Sequence, residues 1–106
     1  MLVLSRSTES RVKAGFYIDE VNTLVLLEME AGASTAKFEW APKGGVRNEF
    51  VLGMGATIQL TDDCILHLLS VGTTMVRVGF DAPRTVAIVR FDAIKRARVE
   101  ERGDGE

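Results

Sequence analysis

The sequence predicts an all-β fold, a sandwich or barrel of short strands, with a short C-terminal helix. Apolar and polar residues alternate with a period of two in residues 2–6, 76–80 and 86–90, which is typical of strands that pack one face on a core. Groups of turn-forming residues separate the apolar runs, at 32–34, 42–45, 61–63, 72–74 and 81–83. Short strands at this spacing favour a sandwich or a barrel.

The C-terminal end has a different composition. Residues 92–100 are mostly good helix formers, and Asp92 is a suitable first residue for a helix. Residues 101–106 are charged or glycine, which predicts a disordered tail. The helix is therefore the single exception to the predicted β-structure.

Length and composition indicate a single domain. The chain has 106 residues, of which 46% are hydrophobic, enough for one core but not for two independent ones. No apolar run has the length of a transmembrane helix, and the N-terminus does not resemble a signal peptide. The one cysteine, Cys64, cannot form an internal disulfide. We expect a cytoplasmic protein.

The charge balance argues against a large nucleic-acid-binding surface. Thirteen Lys and Arg residues oppose fifteen Asp and Glu residues, so the net charge is −2. Broad capture of nucleic acid normally requires a basic face, because neutralising phosphates supplies most of the non-specific affinity. Any nucleic-acid site is therefore expected to be small and confined.

Three segments, one at the start of the chain and two near its end, resemble one known family. Residues 1–6 read MLVLSR, residues 76–84 read VRVGFDAPR and residues 86–90 read VAIVR. These segments resemble the first strand, the fourth strand with its turn, and the fifth strand of the carbon storage regulator A family. The resemblance implies a small β-protein that binds messenger RNA, blocks translation initiation and pairs with a second copy by interleaving strands.

The resemblance is continuous from residue 90 back to residue 55. Residues 7–54 are therefore additional to the family's pattern. Within them, 37–49 resemble a blurred second copy of the turn and the strand after it, while 8–12 and 23–28 echo strands two and three. We interpret the chain as one domain over 1–106, built from a degenerate repeat, 1–51, and a better-matching repeat, 52–98. The alternative is an unrelated insertion between strands one and two, within a strand-swapped homodimer.

The resemblance also implies the site. The family's main RNA-binding side chains are the arginines that end strands one and five, here Arg6 and Arg90. A single-chain tandem places strand 2–6 beside strand 86–90 and makes one site, whose predicted residues are Leu4, Ser5, Arg6, Ile88, Val89 and Arg90. The reciprocal site, from 44–48 and 50–54, lacks an arginine at its strand-one end and is expected to be lost.

The predicted partner is RNA with a GGA element in a hairpin loop, not DNA or a membrane. Guanidinium groups suit phosphates, base edges and stacking, and unpaired loop bases expose edges that proteins read. The chain is expected to be a monomeric pseudo-dimer or a homodimer. The alternative function is a protein-interaction module that has lost RNA binding and engages a protein partner or a family member.

Other reactive residues have simpler explanations. The sequence contains no catalytic or metal-ligand motif, so we expect no enzyme activity, cofactor or metal site. His67 fits a packed or half-exposed strand position, and Cys64 fits a small buried apolar residue. Residues 62–63 fit a turn, and Phe38 and Trp40 fit the core or an interface.

Overall fold

The computed structural model describes residues 1–7 and 14–91, and these form an all-β structure, as predicted. The predicted helix over 92–100, the predicted tail over 101–106 and the strand-two echo at 8–12 lie outside the described residues. The described part contains nine strands: β1 (Leu2–Arg6), β2 (Gly15–Ile18), β3 (Asn22–Glu30), β4 (Thr35–Ala41), β5 (Asn48–Gly53), β6 (Thr57–Thr61), β7 (Cys64–Val71), β8 (Val76–Asp81) and β9 (Ile88–Arg90).

The strands form two antiparallel sheets. The four-stranded sheet has the order β1-β8-β7-β6, and the five-stranded sheet has the order β5-β4-β3-β2-β9. The four-stranded sheet contains three strands consecutive in sequence, β6-β7-β8, and the five-stranded sheet contains four, β2-β3-β4-β5. Two edge strands pair with partners distant in sequence, because β1 lies beside β8 and β9 lies beside β2.

The core lies between the two sheets. Phe16 of β2 and Phe80 of β8 meet edge to face, with ring centroids 5.2 Å apart, and join one sheet to the other. Phe38 and Trp40 are buried, in agreement with the prediction, and Phe38 stacks on Phe50. Because side chains alternate along a strand, each strand supplies every second residue to this core.

Residues 15–53, most of the additional segment, contribute four of the five strands of the larger sheet. The turn-forming residues at 32–34, 43–45, 62–63 and 73–74 lie in turns or bends between strands, as expected. Part of the segment expected to resemble strand five of the first repeat, residues 44–47, is not a strand. Gly44 there has a positive φ of 73°, a conformation that suits a turn rather than a strand.

Candidate nucleic-acid interface

The first strand holds three of the predicted site residues at one edge of the four-stranded sheet. In its antiparallel register Leu4 lies opposite Val78, Arg6 opposite Val76 and Ser5 opposite Arg77. Opposed residues share a face of the sheet, so Leu4 and Arg6 are on the core side with two buried valines. Ser5 is on the outer side.

Arg6 is buried, with 4% of its surface exposed. An RNA-binding arginine is expected to expose its guanidinium, and the burial of Arg6 does not agree with that expectation. Arg6 follows Leu2 and Leu4 in the alternation, so its side chain enters the space between the sheets at the end of β1. A buried arginine retains its charge, and packing of its stem restricts its freedom to move.

The last strand holds the other three predicted residues at an edge of the five-stranded sheet. Ile88, Val89 and Arg90 are half-buried, and they lie opposite Ile18, Tyr17 and Phe16. Ile88 and Arg90 therefore share the core side of the sheet. The two arginines thus occupy corresponding positions, each at the end of an edge strand and each on its inward side.

The predicted strand 86–90 is two residues shorter in the structure. The N–H of Val86 donates a hydrogen bond to the carbonyl of Pro83 at 3.0 Å, so Val86 belongs to the turn after β8. The carbonyl of Ala87 accepts a hydrogen bond from the N–H of Asp19 at 2.6 Å. The proline at this turn fixes the chain direction, and regular pairing starts at Ile88.

An aromatic contact fixes the end of β9. Phe91 packs on Tyr17 with ring centroids 4.7 Å apart. Its ring also lies against Gly15, where a Cβ atom would come within 2.6 Å of the ring edge. Arg90 therefore lies between Val89, which pairs with Tyr17 of β2, and Phe91, whose ring packs against β2.

A cavity of about 320 Å³ connects the two edge strands. Its lining residues are Met1, Leu2, Phe80, Ala82, Pro83, Arg84, Val86 and Ile88. Strands β1 and β9 both start at this cavity. Strand 2–6 was expected to lie beside strand 86–90. In the structure the two strands belong to different sheets, and they share this cavity through their first residues, Leu2 and Ile88. We call this region, with β1, β9 and the cavity, the β1/β9 rim.

Two further arginines lie near this rim. Arg77 is exposed and lies opposite both Ser5 and Ser70 on the outer face. Arg84 is exposed in the turn that borders the cavity. The predicted site did not include either residue, although the alternation of β8, with Arg77 between Val76 and Val78, already indicated an outward position.

Two cations at strands β4 and β5, away from this rim, lie against carboxylates. Arg47 contacts Glu39 at 3.5 Å, and Lys37 contacts Glu49 at 3.1 Å. The hydrogen bond and the charge of Glu49, with a further contribution from Glu28, raise the pKa of Lys37 above its ordinary value. Such pairs lower the positive potential around Arg47 and Lys37.

The remaining candidates agree with their simpler explanations. Cys64 is completely buried, and burial, with smaller effects from Asp63 and Asp81, raises the pKa of its thiol. His67 is half-buried in β7, and residues 62–63 form a turn. Within residues 1–7 and 14–91, His, Cys, Asp and Glu side chains form no group that would hold a metal ion. The same ranges contain no helix long and apolar enough to cross a membrane.

One comparison connects this arrangement to a known protein. Over 47 residues the chain is 30% identical to the translational regulator CsrA of Desulforapulum autotrophicum. The match covers 44% of this chain and 58% of that protein, so the chain spans little more than half of the relative's length. No protein-family model matches the chain, and no solved structure matches it.

Proposed function

We propose that this protein is an RNA-binding regulator of translation that reads a GGA-type loop at the β1/β9 rim. The observation that carries the proposal is the meeting of the two sequence segments that resemble carbon storage regulator A. Their strands β1 and β9 are separated by the 81 residues 7–87, yet both line the same cavity through Leu2 and Ile88. The partial similarity to a translational regulator supports the same function.

The sheet orders support a tandem origin of the rim. If β1 and β5 are the first strands of two repeats, the boundary between the repeats lies at the start of β5 rather than after residue 51. Each sheet then joins a first strand from one repeat to three further strands from the other. The orders β1-β8-β7-β6 and β5-β4-β3-β2-β9 have this form. A single chain would then reproduce the interleaved strands that two copies exchange in the family.

Comparison of the two sheets with each other supports one site rather than two. In the five-stranded sheet β9 extends the meander beyond β2. The four-stranded sheet has no such strand beyond β6 among the described residues. Residues 44–47, the expected counterpart, form no strand, and Arg47 is engaged with Glu39. Within residues 1–7 and 14–91, the reciprocal site therefore has no counterpart of β9, and its arginine lies against a carboxylate.

The chemistry of the rim suits an unpaired, guanine-rich loop. Strands β1 and β9 each end a sheet within the described residues, so their outer N–H and C=O groups face away from the ladder and are suited to base edges. Arg90, Arg84 and Arg77 supply donors and positive charge. The half-buried Leu4 and Ile88 offer apolar contact. Occupying a loop at a ribosome-binding site blocks initiation without any chemical step.

The experiment that tests this function is an equilibrium titration with a labelled RNA hairpin carrying GGA in its loop. The matched control has the same stem with the two loop guanines replaced by cytosines. We expect the substitution to weaken binding by about 1–3 kcal/mol for each guanine that the protein reads. Equal affinity for the two hairpins would refute sequence-specific recognition.

The burial of Arg6 and the net charge of −2 favour a second function, a protein-interaction module that no longer binds RNA. The same titration distinguishes the two functions. An interaction module binds neither hairpin at concentrations well above the micromolar range. A regulator binds the GGA hairpin in preference, and the preference survives added salt because base contacts depend less on counterion release than phosphate contacts do.

A further inference from the structure

The outer faces of the two sheets differ in charge. On the five-stranded sheet the strand register places four glutamates and one lysine outward, and these are Glu28, Glu30, Glu39, Glu49 and Lys37. On the four-stranded sheet the charged residues that the described strands place outward are one cation, Arg77, and one anion, Asp81. A polyanion that approaches the molecule is therefore repelled by the first face and not by the second.

Arg77 lies in a row of hydroxyl groups near one end of the four-stranded sheet. It is exposed, and its partners on the two neighbouring strands are Ser5 of β1 and Ser70 of β7. The Cβ atoms of such opposed residues are about 5 Å apart, so the guanidinium and two hydroxyls share one small area. The connection from β7 to β8 adds the exposed Thr73 and Thr74 at the same end. Arginine, serine and threonine are side chains that contact phosphates.

The carboxylate of this face is too far from Arg77 to neutralise it. Asp81 follows Arg77 by four residues along β8, which separates their Cα atoms by about 13 Å. The cations near the other outer face, Lys37 and Arg47, contact Glu49 and Glu39 instead. A guanidinium that keeps its charge and several donors exposed is suited to bind a phosphate.

This row adjoins the β1/β9 rim. Ser5 belongs to β1 itself, and Arg77 lies one strand further in, about 4.8 Å from β1. An RNA hairpin with its loop at the rim brings the first phosphates of its stem close to the outer faces of the adjoining sheets, and the glutamates disfavour the five-stranded one. We propose that a stem phosphate binds Arg77, Ser5 and Ser70 on the outer face of the four-stranded sheet, an inference that rests on the proposed RNA-binding function.

The row and the rim then have different roles in recognition. Contacts to phosphates position a nucleic acid but carry no sequence information, whereas contacts to base edges specify it. The rim selects the loop sequence, and the row on the outer face selects an RNA in which a stem adjoins that loop. An oligonucleotide that carries GGA without a stem therefore lacks the contact to Arg77.

The test is a titration of the GGA hairpin at several salt concentrations with the original chain and with Arg77→Ala. Each neutralised duplex phosphate contributes about 0.9 to the slope of log affinity against log salt concentration, and Arg77→Ala should reduce the slope by that amount. The variant should bind about eightfold more weakly at about 0.1 M salt and converge with the original chain near about 1 M. Arg77→Lys should keep the slope, because it keeps the charge.

The matched control is Lys37→Ala, which removes the same charge from the outer face of the five-stranded sheet. It should leave the slope unchanged. Arg77→Ala should preserve the preference for the GGA hairpin over its cytosine control, because a phosphate contact does not read the loop. It should also change the affinity for a GGA oligonucleotide without a stem much less than the affinity for the hairpin.

Three results would overturn the phosphate site. They are an unchanged slope in Arg77→Ala, an equal decrease in slope in Lys37→Ala, and a lost GGA preference in Arg77→Ala, which would make Arg77 a reader of bases. If the original chain binds both hairpins equally, the proposed function fails instead, and the difference in slope between the two variants still decides the phosphate site. If the original chain binds neither hairpin, both proposals are wrong.

Discussion

Arg6 and Arg90 hold equivalent places in the sequence pattern but differ in their surroundings. Each is the last residue of an edge strand and each points to the core side of its sheet. Arg6 is 4% exposed, whereas Arg90 is half-buried. Arg6 should therefore have a structural role as well as a role in binding, while Arg90 should act mainly on RNA.

Arg6→Ala should lower both stability and RNA affinity. Removal of a packed arginine stem costs buried contacts, and we expect a decrease of about 1–3 kcal/mol in the free energy of unfolding, the usual range for such changes. Urea unfolding measures it, with Arg77→Ala on the exposed outer face as the control. Unchanged stability of Arg6→Ala would contradict the structural role of this side chain.

Cys64 should make stability depend on pH in the alkaline range. Burial raises the pKa of its thiol above the ordinary 9.0, so the folded protein holds this proton more tightly than the unfolded chain. The resulting stabilisation is complete below about pH 9 and is lost as the pH rises through the folded pKa. Urea unfolding at pH 8 and pH 10 should show a decrease that is smaller in Cys64→Ala. Equal decreases in both chains would argue against this contribution.

At the scale of the elements, alternation and turn residues predicted most of the strands. The segments at 2–6 and 76–80 and the turns between strands match the structure, because period-two patterns and turn formers are local properties. Pairing is not local. Nothing within residues 1–6 indicates that β1 lies beside β8, or that Arg6 is buried. The burial of Arg6 therefore depended on contacts that a strand pattern does not contain.

The β2–β9 unit should be sensitive to one added methyl group. A Cβ atom at Gly15 would meet the Phe91 ring at 2.6 Å and the backbone oxygen of Leu24 at 2.9 Å. Because that oxygen cannot move freely, Gly15→Ala should cost about 1–3 kcal/mol of unfolding free energy. It should also weaken RNA binding, since Phe91 follows Arg90 directly.

The matched control is Gly53→Ala at the end of β5, where nothing lies within 4 Å of an added Cβ. This change should stay within about 0.5 kcal/mol of the original protein. Thermal and urea unfolding of the two variants provide the comparison. If both glycines tolerate alanine equally, the Phe91 clamp on β2 is not a rigid part of the site.

At the scale of the whole molecule, the resemblance to the carbon storage regulator A family supports the proposed RNA site more than the composition does. The net charge argued against a large nucleic-acid-binding surface. The structure places the exposed Arg77 and Arg84 near the β1/β9 rim, while Arg47 and Lys37 lie against carboxylates. The single-chain arrangement was a hypothesis from blurred echoes in residues 7–54. The sheet orders are compatible with that hypothesis, and it stays a prediction beside the alternative of an insertion.

The central claim, a single RNA site at the β1/β9 rim, is tested most directly by titrating a GGA-loop hairpin with Arg90→Ala and Arg47→Ala chains. Arg90→Ala should weaken binding by about 1–3 kcal/mol for each base that Arg90 reads. Arg47→Ala should bind as the original protein does, since Arg47 faces Glu39. The original chain should saturate at one hairpin per chain. Full affinity of Arg90→Ala, or two hairpins per chain with equal decreases in affinity from both variants, would contradict this account.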